Sequence, residues 1–409
     1  MNEIRNGCLA VNYGFIFPGA RAWWKAGRIL RISVCLAAAV SSIAPPAQAQ
    51  RVTSRGSGPQ ASFVEGFTTI VAVRELTDGR VVIVDSHERR IAILDSSLTQ
   101  LRPVGRHGAG PGEFEIPMGL FALVGDSSAV YDPPNSRMLV ITPAGETGGV
   151  LGTLGLPIGE PARLSGVHQP AATDGSGNFY AQSAAGVEDG GTTRHGPLLR
   201  WNTSDPDPDT VALLPLPEQG RVISAPGAMV ARLPMPLFQP RAVWAVARDG
   251  RVAIVFPEPY HVEIVHPDGT RRRGTAIPVE PLKLTDEHKT EWRREVARTQ
   301  LRVVVARGGG SAYRTISEDE VAEPPGWEPF LPPFLSDAAG FAGDGRLWVR
   351  RTTPPDRAAT YDVFDANARL VEVVVLPPNR RLAGFGADAV YLVRRDDFDL
   401  EYLERWILR

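Results

Sequence analysis

"DGRVVIVDSHERRIAILD", Asp78 to Asp95, sets two short apolar runs behind an Asp-Gly turn. Asp and Gly supply turn conformations, and Val-Val-Ile-Val and Ile-Ala-Ile-Leu are β-forming runs too short for helices. The device recurs as "GDSSAVYD" from Gly125, "DGSGNFYA" from Asp174, "DGRVAIVF" from Asp249, "DGRLWVRR" from Asp344 and "GADAVYLV" from Gly386. A second β-rich run follows each copy, starting at Ile91, Met138, Leu198, Val262, Tyr361 and Leu403. The turn aspartates Asp78, Asp126 and Asp174 lie 48 residues apart; the later intervals, to Asp249, Asp344 and Asp388, are 75, 95 and 44.

A strand such as "TTIVAVREL" precedes the turn and a third such as "LRPVG" follows, so the unit is four antiparallel strands. Six radially repeated units predict an all-β fold, a six-bladed β-propeller with a short helical insertion between blades four and five. A β-sandwich with insertions is the rival, but it does not predict six turn-and-strand units. The chain stops at Arg409, directly after the sixth unit's third strand. The missing outer strand is therefore expected from the N-terminal side, near Ser62–Val64, which leaves only short edges.

Antiparallel order places the A–B and C–D turns on one face, and the B–C loops and blade-to-blade connectors on the other. Three long segments, Ser183–Pro197, Pro217–Pro240 and 280–333, all fall on this second, loop face. Long loops in a compact fold are commonly functional. Within 280–333 a helix is expected near 285–300, capped by Thr285 with Asp286 and Glu287 in its first turn. His288, Trp292 and Val296 form a stripe that packs it onto the propeller, and "ARGGGSAY" from Ala306 reads as a hinge-like loop.

"GRHGAGPGEFEIPMGL", from Gly105, taken with the opening stretch, resembles bacterial six-bladed β-propellers of the NHL-repeat and TolB-like kind over essentially the whole mature chain. The resemblance implies the fold; such propellers host binding modules, lyases and lactonases alike. Lactonases of the gluconolactonase type hold a metal in the channel with carboxylate and amide ligands. The stretch is no phosphate cradle: after Gly108 and Gly110 the third glycine of a dinucleotide fingerprint falls on Glu113, and no helix follows. Its glycines and Pro111 instead let the chain cross from the outer strand of blade one to the inner strand of blade two.

The seven histidines are scattered, and neither H-E-x-x-H nor G-x-S-x-G occurs. The candidate binding face therefore consists of loop-face polar residues: His87 and Arg89 in blade one, Arg106, His107 and Glu113 in the connector, and Asn135 and Arg137 in blade two. His107 and Glu113 could make an acid–base pair near the channel mouth, but their more ordinary role is hydrogen bonding that rigidifies the connector.

Arg28 and Arg31, the apolar run Ile32–Ala44 and the site Ala47-Gln48-Ala49 have the order of a cleavable signal peptide. The run of 13 residues is shorter than a bilayer span; a retained anchor is the alternative. Residues 1–49 are thus read as leader and 50–409 as one periplasmic or secreted propeller domain. Both cysteines, Cys8 and Cys35, lie in the leader, which excludes thiolate chemistry and disulfides from the mature chain. The mature chain has 39 basic and 45 acidic residues, a mild negative excess that disfavours nucleic acid. It contains no later membrane span.

The expected function is a monomeric binding or scaffold module that recognises a protein or small-molecule ligand on the loop face, with no cofactor required. The alternative is a hydrolase or lyase at the channel mouth, lactonase-like, with a divalent metal such as Ca2+. Envelope assembly is a third reading.

Overall fold

A computed structural model describes residues 49–51, 58–152, 170–183, 187–188, 194–204, 207–216, 222–223, 231–232, 237–299, 301–305, 311–324 and 326–408. The expected signal peptide, both cysteines and the glycine loop 306–310 lie outside these residues.

Val81 to Val84 are all buried because the strand is covered on both faces. Side chains alternate along a strand, so Val81 and Ile83 pack with Tyr391, Val393 and Leu403, while Val82 and Val84 pack with Val130, Leu139 and Ile141. The first group belongs to the preceding sheet and the second to the following one. Each fully buried side chain of this size contributes about 1.5–3 kcal/mol.

Six four-stranded sheets build the ring, strands A to D from channel to rim. Blade one is Ile70–Glu75, Val81–Asp85, Arg90–Leu94 and Leu101–Pro103. Blade two is Met118–Ala122, Ser128–Asp132, Arg137–Ile141 and Thr147–Gly152. Blade three is Ala172–Thr173, Phe179–Gln182, Arg194–Trp201 and Asp209–Pro215. Blade four is Val243–Val246, Val252–Pro257, Tyr260–Val265 and Arg271–Arg273. Blade five is Ala339–Phe341, Leu347–Arg350, Thr360–Phe364 and Leu370–Val375. Blade six is Arg380–Phe385, Ala389–Arg395 and Glu401–Ile407.

The N-terminal strand Ala61–Ser62 completes blade six, with Ala61 opposite Arg405 and Ser62 opposite Glu404. The backbone N–H of Phe63 donates to Leu403 O at 2.9 Å, and Phe63 and Phe67 are buried in the seam between blades six and one. Val64, which the sequence placed within this strand, is 82% exposed. A second N-terminal piece, Ala49–Arg51, lies parallel to the outer strand of blade five.

Three A–B turns share one device. Asp78, Asp249 and Asp344 each accept the backbone N–H two residues on, at 3.0, 3.2 and 3.0 Å. The same carboxylates take the Nε of Arg80, Arg251 and Arg346, and the intervening glycines have φ of +84°, +82° and +77°. These turns mark one face; the connectors and B–C loops lie on the other.

The insertion between blades four and five carries helix α1, Asp286–Thr299, followed by the paired strands Leu301–Val305 and Ser311–Thr315. Trp292 and Val296 do not pack onto the blades. They join Ala297, Ile316 and Val321 in an apolar cluster of the insertion's own, and Trp292 meets Trp327 edge to face at 5.2 Å. The helix is followed by enough chain to fold back on it, which satisfies its apolar stripe locally and leaves polar groups to reach the propeller.

Candidate functional site

The connector from blade one to blade two gathers six of the seven candidate residues. Glu113 folds back over the glycines: its carboxylate accepts the Gly110 N–H at 2.8 Å and Arg106 Nε at 2.7 Å. A Cβ on Gly108 or Gly110 would collide with that carboxylate, so the glycines make room for it. Arg137 donates to the carbonyls of Gly110 and Glu113 at 3.1 and 2.8 Å. Asn135 donates to Asp132 at 2.6 Å, and Asp132 accepts the backbone N–H groups of Glu115 and Ile116, each at 3.1 Å. His107 Nε2 lies 2.9 Å from an Arg89 nitrogen and 3.4 Å from the Glu115 carboxylate.

His107 and Glu113 therefore do not form an acid–base pair; each is engaged elsewhere. The Gly110 N–H, with Arg106 beside it, holds the Glu113 carboxyl below the ordinary carboxylate range, so near neutral pH it accepts hydrogen bonds and has no proton to donate. His87 stands outside this network, and its Nε2 is enclosed with no hydrogen-bond partner among the described residues. The arrangement fixes the chain crossing between blades, and its polar groups are spent mostly on one another.

A second network pins α1. Glu401, fully buried at the start of the third strand of blade six, accepts the Ile70 N–H at 2.7 Å. Its oxygens also lie 2.6 Å from Arg381, 3.0 Å from Arg298 and 3.8 Å from Arg395. Arg298, in the last turn of α1, reaches Thr69 Oγ1 at 3.3 Å as well. Burial opposes ionisation of Glu295, but Arg298 and Arg395 outweigh it and hold its carboxyl below the ordinary range. The insertion leaves the ring between blades four and five, while the C-terminal turn of α1 meets the seam of blades six and one. The helix thus runs across the loop face as a strap.

The third feature is a cavity of about 480 Å³ lined by inner-strand residues of blades three, four and five. Its chemistry comes from Gln182, Arg241, Trp244, Ser336, Asp337 and Phe341. Arg241 and Asp337 are exposed and each stands two residues ahead of its inner strand. Among the described residues neither side chain has a hydrogen-bond or ion-pair partner.

No family model matches the chain, and no curated protein matches its sequence. Solved structures resemble it at low identity. Regucalcin, a calcium-binding protein from Agrobacterium tumefaciens, is 10% identical and matches 86% of this chain and 96% of its own, with a TM-score of 0.40. A gluconolactonase from Xanthomonas campestris is 9% identical over 89% and 99%, with a TM-score of 0.40. Virginiamycin B lyase from Staphylococcus aureus is 10% identical over 85% and 98%, with a TM-score of 0.37. These likenesses carry no activity to this chain, and its fold rests on its own sheet topology.

Among the described residues, no three His, Cys, Asp or Glu side chains are grouped so as to hold a metal ion. No helix among them is long and apolar enough to cross a membrane. Sequence reasoning found the connector cluster but missed Arg241 and Asp337, which belong to no motif. Their signal is positional. Aligning the six blades on their inner strands puts both at the same offset, where the other blades carry Thr68, Ile116, Pro170 and Pro378.

Proposed function

We propose that the chain is an exported binding module that holds a small molecule in the loop-side channel cavity between blades three, four and five. The observation that carries this reading is the cavity. It is concave, already formed, and within the size range of small-molecule sites, about 300–1,000 Å³. It combines two aromatic surfaces with a few polar groups, which is the usual division between affinity and orientation. The strap and the connector network support the reading by holding neighbouring parts of the loop face in place. Export rests on the leader sequence.

The metal-hydrolase alternative needs several oxygen ligands converging in the channel. Glu113, Asp132 and Glu401 are instead committed to arginines and backbone N–H groups, which leaves Asp337, among the described residues, as the one carboxylate lining the cavity. We therefore derive no hydrolytic step.

A thermal-shift screen of small polar and amphipathic compounds on residues 50–409 tests the proposal. A stabilising compound is expected, with its effect lost in Ala171→Trp. Ala171 lines the cavity from an exposed position, so the indole fills the space without disturbing the core. Stabilisation that survives in Ala171→Trp would place the site elsewhere.

A further inference from the structure

We infer that the cavity takes a small zwitterion, a molecule presenting a free carboxylate and a free ammonium group on an apolar body. This rests on the reading of the channel cavity as the binding site. The position two residues before the inner strand is uncharged in blades one, two, three and six, where it holds Thr68, Ile116, Pro170 and Pro378. In blades four and five it holds Arg241 and Asp337, opposite charges on neighbouring blades lining one cavity.

Elsewhere on the loop face, opposite charges close on each other, as Arg298 and Arg381 do on Glu401 and Arg351 does on Asp362. Arg241 and Asp337 make no ion pair among the described residues; both line the cavity. A guanidinium fork matches a carboxylate in two parallel hydrogen bonds, and an aspartate accepts from an ammonium group. Trp244 and Phe341 offer apolar surface to the body of the ligand, and Gln182 and Ser336 offer neutral donors and acceptors to an amide between its charged ends. A simple anion would satisfy Arg241 but sit near the repelling Asp337. A neutral ligand would desolvate both charges without replacing their hydrogen bonds. A zwitterion satisfies both.

The test is calorimetric titration of residues 50–409 with the dipeptide Ala-Phe, its N-acetyl form and its C-terminal amide. L-phenylalanine and 4-aminobutyrate extend the set of zwitterions. On the unaltered protein, acetylation and amidation are each expected to weaken binding about tenfold or more, the usual loss for a hydrogen bond to a charged group. In Asp337→Asn the penalty for acetylation should disappear while that for amidation persists; in Arg241→Gln the reverse should hold. Both residues are exposed, so these variants fold. Equal affinities for the three dipeptide forms, penalties unchanged in both variants, or no binding of any zwitterion in the set would overturn the inference. If a neutral or singly charged compound binds instead and Ala171→Trp blocks it, the cavity reading stands and the zwitterion does not. If nothing binds there, both fall.

Discussion

Replacing Glu401 by leucine should cost about 3 kcal/mol of unfolding free energy. The carboxylate is fully buried and receives Ile70 N–H, Arg381 and Arg298 at 2.7, 2.6 and 3.0 Å. Removing one member of a buried ion pair costs about 3–5 kcal/mol, because the other charge is left uncompensated. An orphaned buried N–H costs about 1–3 kcal/mol. Each arginine, however, keeps a second partner: Arg381 still donates to Ile70 O at 2.6 Å, and Arg298 and Arg395 still reach Glu295 at 2.6 and 3.2 Å. The contributions are therefore not additive, and the lower end applies. Urea titrations with an unchanged slope measure the loss. Arg298→Met makes the complementary change: Glu401 retains Ile70 and Arg381, so global stability should fall by only about 1 kcal/mol. The strap, however, is left with the Glu295–Arg395 pair at 3.2 Å as its tie to blade six among the described residues, and amide exchange in residues 286–299 should accelerate while that of the blade strands does not. A loss under about 1 kcal/mol for Glu401→Leu, or unchanged exchange in α1 of Arg298→Met, would refute the account of the strap.

Three further outcomes are expected. Gly108 has φ of +150° and faces the Glu113 carboxylate, so Gly108→Ala should destabilise the protein by about 1–3 kcal/mol, and adding Glu113→Ala should recover the steric part in a double-mutant cycle. The Glu113 carboxyl is held below its ordinary value of 4.5 by Gly110 N–H and Arg106. Its contribution is thus present above that value and lost as pH falls through the lower folded-state value; the melting-temperature difference between wild type and Glu113→Gln should be constant from neutral pH down to about 5 and vanish in more acid solution. EDTA should leave the melting temperature unchanged, because among the described residues no three His, Cys, Asp or Glu side chains are grouped to hold a metal ion; a drop that calcium reverses would contradict this.

The blades were legible because their signal is local and repeated: a turn of Gly and Asp, Asp-Gly in four of the six, followed by an apolar run. The closing strand was legible too, as a β-forming run ahead of blade one, although the pairing falls on Ala61 and Ser62 rather than on Val64. The connector could be located and read as a hydrogen-bonded crossing, but its pairings could not. His107 and Glu113 are close in sequence, yet which partner each takes depends on Arg89, Glu115 and the glycine loop. Glu401 was invisible because its donors are spread from Ile70 to Arg395 and meet only when the ring closes. Arg241 and Asp337 were missed for a related reason: each is an ordinary surface charge in sequence, and only the ring sets them on adjacent blades around one cavity.

The most direct measurement of where this protein binds is amide exchange with and without a stabilising ligand. Protection confined to residues 241–246 and 336–341 is the predicted result. Protection centred on residues 104–116 and 132–137, with the cavity strands unchanged, would move the site to the connector and contradict the account.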